Sequence, residues 1–215
     1  MPHRLRIELK FILVSGLHIT GEHGKLWTDR ALVVDWHEGR WPVIPATTLK
    51  GWLRESAERL LRGLGQQVCD GSRFGEMCGR CPVCELFGWP RRRSPLRFSD
   101  AKLHHSITDV RMNVSLSRYR KTAYEERLFS TEGAWQKELT THIEGWFDSR
   151  KEAWGAATLL YLAARLGFAI GAARSRGLGW LKLEDFAASV DGERLRHEDL
   201  VGQSKALVTQ TENAV

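Results

Sequence analysis

The sequence is short of three things, and each shortage narrows what the chain can be. Cysteine occurs only four times in 215 residues, and all four fall between Cys69 and Cys84. A disulfide scaffold would spread its pairs along the chain, so that architecture is excluded. Long apolar runs are missing. Phe11 to Val14 is too short for a secretory core, and the apolar segment 156–173 is broken by Arg165, which makes it a buried helix rather than a membrane span. No internal repeat or low-complexity tract is present. Acid is the third shortage: Asp plus Glu is 26 against 32 Lys plus Arg, a net charge of +6. A basic chain with no membrane segment is expected to be a soluble, cytoplasmic protein with a polyanionic partner.

What is there is hydrophobic periodicity. Leu5, Ile7, Leu9, Phe11 and Leu13 alternate with mostly polar residues, the pattern of a half-buried strand. Leu49, Leu53, Ala57, Leu60 and Leu64 follow helical spacing, with Glu55–Arg59 and Glu58–Arg62 as supporting pairs. Residues 31–34 read as a short strand, residues 96–103 predict a second main strand and Leu139 to Phe147 a third. Ser149-Arg-Lys-Glu152 is a capping box before a helix reaching about Gly167, and a last strand covers roughly 180–184. The order β-α-β-β-α-β is the ferredoxin-like, α+β split βαβ shared by RNA-recognition modules. We expect one domain over 1–202, with a cysteine-loop insertion at 66–93 and a hairpin-like excursion at 106–135. A disordered tail is expected at 203–215.

Four clusters can carry chemistry. Pro45 ends a short strand, and Thr47 or Thr48 is placed to cap the helix that follows. Its free amides, with Lys50 and Arg54 one turn apart, make an anion site, the alternative being a capped helix with solvated cations. Gly171 to Gly179 contains Arg174, Ser175 and Arg176, and its glycines allow close backbone approach to phosphate. Arg118, Tyr119, Arg120, Lys121 and Tyr124 suit phosphate neutralisation with base stacking, or else form an exposed hairpin whose aromatics pack on the domain. Cys69, Cys78, Cys81 and Cys84 are four soft ligands on a short loop, suited to a closed, structural Zn²⁺ site; an iron–sulfur cluster or a disulfide pair is the alternative. In the loop before Pro45, Asp29 is a turn residue, or a general base or divalent-metal ligand acting on a ribose 2′-OH. His18 and His23 are weaker acid–base candidates.

These motifs together resemble the RAMP superfamily of CRISPR effector proteins, in particular the backbone subunit that polymerises along guide RNA in type III complexes. The resemblance rests on Ile44-Pro-Ala-Thr-Thr-Leu-Lys-Gly51, Cys81-Pro-Val-Cys-Glu-Leu-Phe-Gly88, Leu96-Arg-Phe-Ser-Asp-Ala101 and the Gly171–Gly179 loop, with Gly16-Leu-His-Ile19 ending the first strand. It implies a palm that binds guide crRNA and a thumb hairpin at 106–135 that kinks it. The implied partners are complementary target RNA, further copies of the chain and other effector subunits. It also implies target cleavage at Asp29, with Asp35 structural. The alternatives are an inert scaffold beside a partner nuclease, a CRISPR-RNA-processing endoribonuclease working through a histidine, and a free-standing zinc-bearing RNA-binding protein.

Overall fold

A computed structural model describes residues 1–21, 25–37, 39, 41–196, 198–200 and 202. In chain order the elements are strand β1 (His3–Leu13), β2 (Val43–Ile44), helix α1 (Ala46–Gly63), the short helix α2 (Pro82–Phe87), β3 (Leu96–Phe98) and β4 (Ala101–Lys102). There follow β5 (Ile107–Leu116), β6 (Ala123–Trp135), β7 (Glu138–Phe147), α3 (Arg150–Leu166), β8 (Leu181–Val190) and β9 (Glu193–Arg194). The main sheet has the order β3-β7-β1-β8-β9. Strand β1 lies between β7 and β8 and is antiparallel to both. This is the ferredoxin-like order that the β-α-β-β-α-β pattern requires.

One face of the sheet carries the core. Leu5, Ile7, Leu9, Phe11 and Leu13 of β1 point into it and meet Leu49, Trp52, Leu53 and Ala57 of α1 and Ala153, Ala157 and Leu160 of α3. The Trp52 ring stands edge-on to Phe11, with centroids 5.6 Å apart, an arrangement that adds about 1 kcal/mol to burial. Ser149 caps α3 as its sequence predicts, accepting from the Glu152 amide at 3.2 Å. The opposite face is a mosaic of charge. Arg4 meets Glu144 at 3.0 Å, and Lys10 meets Glu138 and Glu184 at 3.0 and 3.1 Å.

Three sequence expectations change. The second strand splits: β3 joins the main sheet, while β4 turns away and pairs with β2. The last strand is twice the expected length and runs to Val190, because it follows β1 along its whole edge. The short strand expected at 31–34 is present only as isolated bridges, Thr20 to Leu32 and Val34 to Pro42. The expected tail at 203–215 lies outside the described residues, as does His23.

Candidate nucleic-acid interface and metal centre

The loop Gly171–Gly179 is closed on itself and pinned to the end of β1. The Ile170 amide donates to the Gly179 carbonyl at 2.9 Å, Gly179 donates to Gly16 at 2.8 Å, and Ala172 donates to His18 at 2.8 Å. Gly179 has φ +72°, and a Cβ there would lie 1.8 Å from the Ile170 carbonyl oxygen, so only glycine fits. The arginines sit on a 3₁₀ turn, Arg174–Arg176, entered through Ala173 at φ 57°. Arg174 reaches across to Glu55 on α1 at 3.0 Å. That bond brings the loop beside the start of α1, and Thr48, Gly51, Glu55 and Arg174 share one shallow cleft. Glu55 is therefore spent on Arg174 and does not pair with Arg59 as helical spacing predicts. Arg59 lies over Phe168 instead.

The helix start differs from its sequence reading. Pro45, not a threonine, holds the cap position, and its own side chain makes no capping bond. Thr47 and Thr48 are already helical, since Pro45 fixes its own φ and admits the helix directly after it. The Ala46 amide donates to Asp100 Oδ1 at 2.6 Å, so a carboxylate of this chain already occupies part of the expected anion site. Lys50 is half-buried, and that burial, followed by the neighbouring Arg54 cation, lowers its pKa.

Arg54 is not turned outward for a ligand. Its side chain is 15% exposed and pairs with Glu58, itself 7% exposed, at 3.0 Å. It also donates to the Gly88 carbonyl at 2.8 Å and to the sulfurs of Met77 and Cys84 at 3.8 and 3.7 Å. Arg54 thus ties α1 to the cysteine loop. Arg62 assists, bonding the Cys69 carbonyl at 2.8 Å.

In that loop the four Sγ atoms of Cys69, Cys78, Cys81 and Cys84 lie within 4.8 Å of one another, and all four thiols are free. Cys69 is 3.2 Å from Cys84 and 3.7 Å from Cys81. A tetrahedral ion with metal–sulfur bonds of about 2.3 Å sets sulfurs about 3.8 Å apart, so the cluster is close enough to hold a metal. Backbone donation, chiefly from Arg80, brings Cys78 down to about 6, whereas burial pushes Cys84 up to about 12.

The excursion at 106–135 is a projecting antiparallel hairpin of β5 and β6. Arg118, Tyr119, Arg120 and Lys121 form its tip, where Tyr119 is 96% exposed, and Tyr124 lies just beyond. Behind the tip, Val110, Met112, Val114 and Leu116 make an exposed apolar stripe on one face. Ser130 and Glu132, which oppose Met112 and Val110, share that face. The loop bearing Asp29 is bound there. Ser130 donates its amide and its hydroxyl to Asp29 Oδ2 at 2.7 and 2.9 Å, and Asp29 returns its amide to Ser130 Oγ at 2.8 Å. These bonds hold the Asp29 pKa below the usual carboxylate range. Glu132 is buried; it grips Lys25 at 2.7 Å and accepts the Leu32 amide at 3.0 Å. Between them, Leu26 and Trp27 form the apex of a two-residue turn and are 103% and 66% exposed. Asp35 is buried and paired with Lys102 at 2.9 Å. His18 is buried too. Its Nδ1 donates to the Glu132 carbonyl at 2.6 Å and its Nε2 meets Thr20 at 2.9 Å, so it is a packing residue and not a free acid or base.

The other face of the hairpin base meets the glycine loop across a cleft of about 340 Å³. Arg30, Arg111 and Arg176 line it, with Asn113, Thr131 and Trp135. Sequence reasoning placed Arg176 here and missed Arg30 and Arg111. The signal for Arg111 is its alternation between Val110 and Met112, which puts it opposite the apolar stripe.

These elements coincide with a known family. A profile of the RAMP superfamily matches residues 32–182, well over half of the chain. The chain belongs to the RAMP superfamily. No curated protein sequence matches it at a comparable level. Among solved structures, this RAMP chain is similar in fold to a chain of the type III-B Cmr-beta bound to cognate target RNA, seen by cryo-EM. The TM-score is 0.58 at 17% identity, over 87% of this chain and 60% of that one. The chain thus spans about three fifths of that structure's length. Among the described residues, no helix of this RAMP protein is long and apolar enough to cross a membrane.

Proposed function

We propose that this RAMP chain is a guide-RNA-binding backbone subunit of a type III-like, RNA-targeting CRISPR effector, built with further copies of itself and other effector subunits. The cleft of Arg30, Arg111 and Arg176 carries the reading. Three forked donors, among the described residues without a carboxylate ion pair, face one another across a groove open to a chain-like polyanion. The open face of the sheet, by contrast, has its cations matched by acids. The hairpin acts as a thumb: Tyr119 offers a stacking surface for an unstacked base, worth about 1–3 kcal/mol, and the stripe from Val110 to Leu116 an apolar face beside it. Sequence choice is left to pairing with the guide. The four cysteines hold a structural Zn²⁺ that staples the 66–93 loop to α1.

Asp29 is the residue that would cut target RNA. An exposed carboxylate kept anionic by two serine donors suits orienting the 2′-OH or holding a divalent cation, which would neutralise the scissile phosphate. A second reading, an inert scaffold, draws on the same bonds, because they make Asp29 an anchor between loop and thumb. Assembled complex carrying Asp29→Ala decides between them. Loss of cutting with guide and target still bound supports cleavage by Asp29, and cutting at unchanged sites supports the scaffold. Sizing the purified chain with its co-purified RNA tests the backbone role itself, which requires multimers along one guide.

A further inference from the structure

Exposed arginines line the guide cleft and the thumb tip, and a further group lies in the cysteine loop. From Leu86 to Ser99 there is no acidic residue, yet Arg91, Arg92, Arg93 and Arg97 all fall there. Several arginines of the palm are matched by acids, as Arg4 is by Glu144, Arg62 by Glu58 and Arg174 by Glu55, and within the loop itself Arg73 is matched by Glu76. Among the described residues, Arg80, Arg91 and Arg93 are exposed and ion-pair with no carboxylate. Arg92 differs, since it borders a separate cleft with Glu85, Asp148 and Glu152.

The loop presents these side chains on a fixed frame. Trp89 and Arg92 exchange both backbone hydrogen bonds, at 3.0 and 2.9 Å, which closes the turn. Gly88 at φ +81° packs against the backbone of Arg92 to Ser94. Gly79 lies flat on the Trp89 ring, where a Cβ would come within 2.7 Å, and Arg91 lies over the same ring at 5.9 Å. Arg91 therefore covers one half-buried indole, and Arg80 directly follows the glycine packed against that ring. On α1, Arg54 and Glu58 face this loop while Glu55 faces the glycine loop, so the patch is on a different side of the helix from the guide groove.

We infer that Arg80, Arg91 and Arg93 form a second nucleic-acid contact, which grips the phosphate backbone of RNA that has left the groove. This rests on the RNA-binding reading of the cleft. The strand is either the guide beyond its bound segment or the flank of the target, and the chemistry is the same for both.

The test is the salt dependence of RNA binding by the full chain, read by fluorescence anisotropy. Each neutralised single-strand phosphate contributes about 0.7 to the slope of log K against log salt, so Arg80→Gln/Arg91→Gln/Arg93→Gln should flatten the slope by about 2. Arg91→Gln alone should remove about 0.7, which guards against a folding defect in the triple variant. A short RNA that fills only the groove, about ten nucleotides, should show neither change. Labelled guide alone and a guide–target duplex with a long target flank then separate the two strands. A slope unchanged on long RNA of both kinds overturns the inference, even if the patch proves to take an acidic protein. The matching variant Arg30→Gln/Arg111→Gln/Arg176→Gln keeps the two readings apart. If it weakens binding while the loop variant does not, only the second contact fails; if neither matters, the groove reading fails as well.

Discussion

Arg54 offers the sharpest test of how α1 is used. Helical spacing aligns it with Lys50 as an outward cation, whereas the structure turns it into the cysteine loop. Replacing it by Met keeps the aliphatic stem and removes every donor. Glu58, 7% exposed, then loses its bond at 3.0 Å. Breaking a buried pair by deleting one partner costs about 3–5 kcal/mol. Glu58 keeps the Gly71 amide at 3.1 Å and Arg62 at 3.4 Å, which points to the lower end, about 3 kcal/mol. Urea unfolding followed by circular dichroism should show this as a midpoint lowered by roughly 1 M or more, given slopes of 1–3 kcal/mol/M. Arg54→Lys should fall between, because an ammonium cannot bridge Glu58 and Gly88 in one plane. Arg54→Met with Glu58→Leu should recover much of the loss, since no uncompensated charge is left. The salt slope of RNA binding should not move in any of the three. An Arg54→Met protein that unfolds at the wild-type midpoint but binds RNA with a slope flatter by about 0.7 would refute the argument and return Arg54 to the RNA groove.

Three other outcomes are expected. Gly179→Ala should destabilise the chain by at least about 1–2 kcal/mol from its left-handed backbone alone, with more from the Ile170 carbonyl, measurable by thermal unfolding. Ser130→Ala should raise the Asp29 pKa toward an ordinary aspartate, followed by carboxyl-carbon NMR titration. Because the folded pKa is the lowered one, the stabilisation from this contact is present above the unfolded-state value near 4 and is lost as pH falls through the folded value; the variant keeps the amide donor of residue 130 and should show a smaller loss. Stripping metal with a chelator should lower the melting temperature and speed proteolysis within 66–93, and Cys84→Ser should make the protein insensitive to the chelator. Unchanged melting on chelation of fully loaded protein would contradict a structural ion.

Much of the fold was legible because its signals are local. The alternation in β1, the helical spacing of α1 and the capping box at Ser149 each need fewer than twenty residues of context, and all three appear as read. The clustered cysteines and the Gly171–Gly179 loop were equally plain. What stayed hidden depends on contacts across the chain. Val110, Met112, Val114 and Leu116 alternate, but the hairpin projects from the core and this apolar face is exposed, so the period does not mark an inside. Asp29 and Ser130 are a hundred residues apart and meet only through the register of β6. Arg54 and Glu55 are neighbours in sequence, yet one serves the cysteine loop and the other the glycine loop. Helix periodicity separates their faces but does not name what waits at each.

The bonds of Asp29 and Lys25 to β6 set a rule for how this protein could vary. The acid takes its position from the thumb, through Ser130 and Glu132, rather than from the palm from which its loop departs. Residues could be added or trimmed at the tip between Leu116 and Ala123 with the acid left where it is. A slip of one residue at the base would instead swap the two faces of β6, carrying the serine and glutamate round to the arginine cleft and leaving the Asp29 loop with nothing to hold. Length in this thumb is free at one end and quantised at the other.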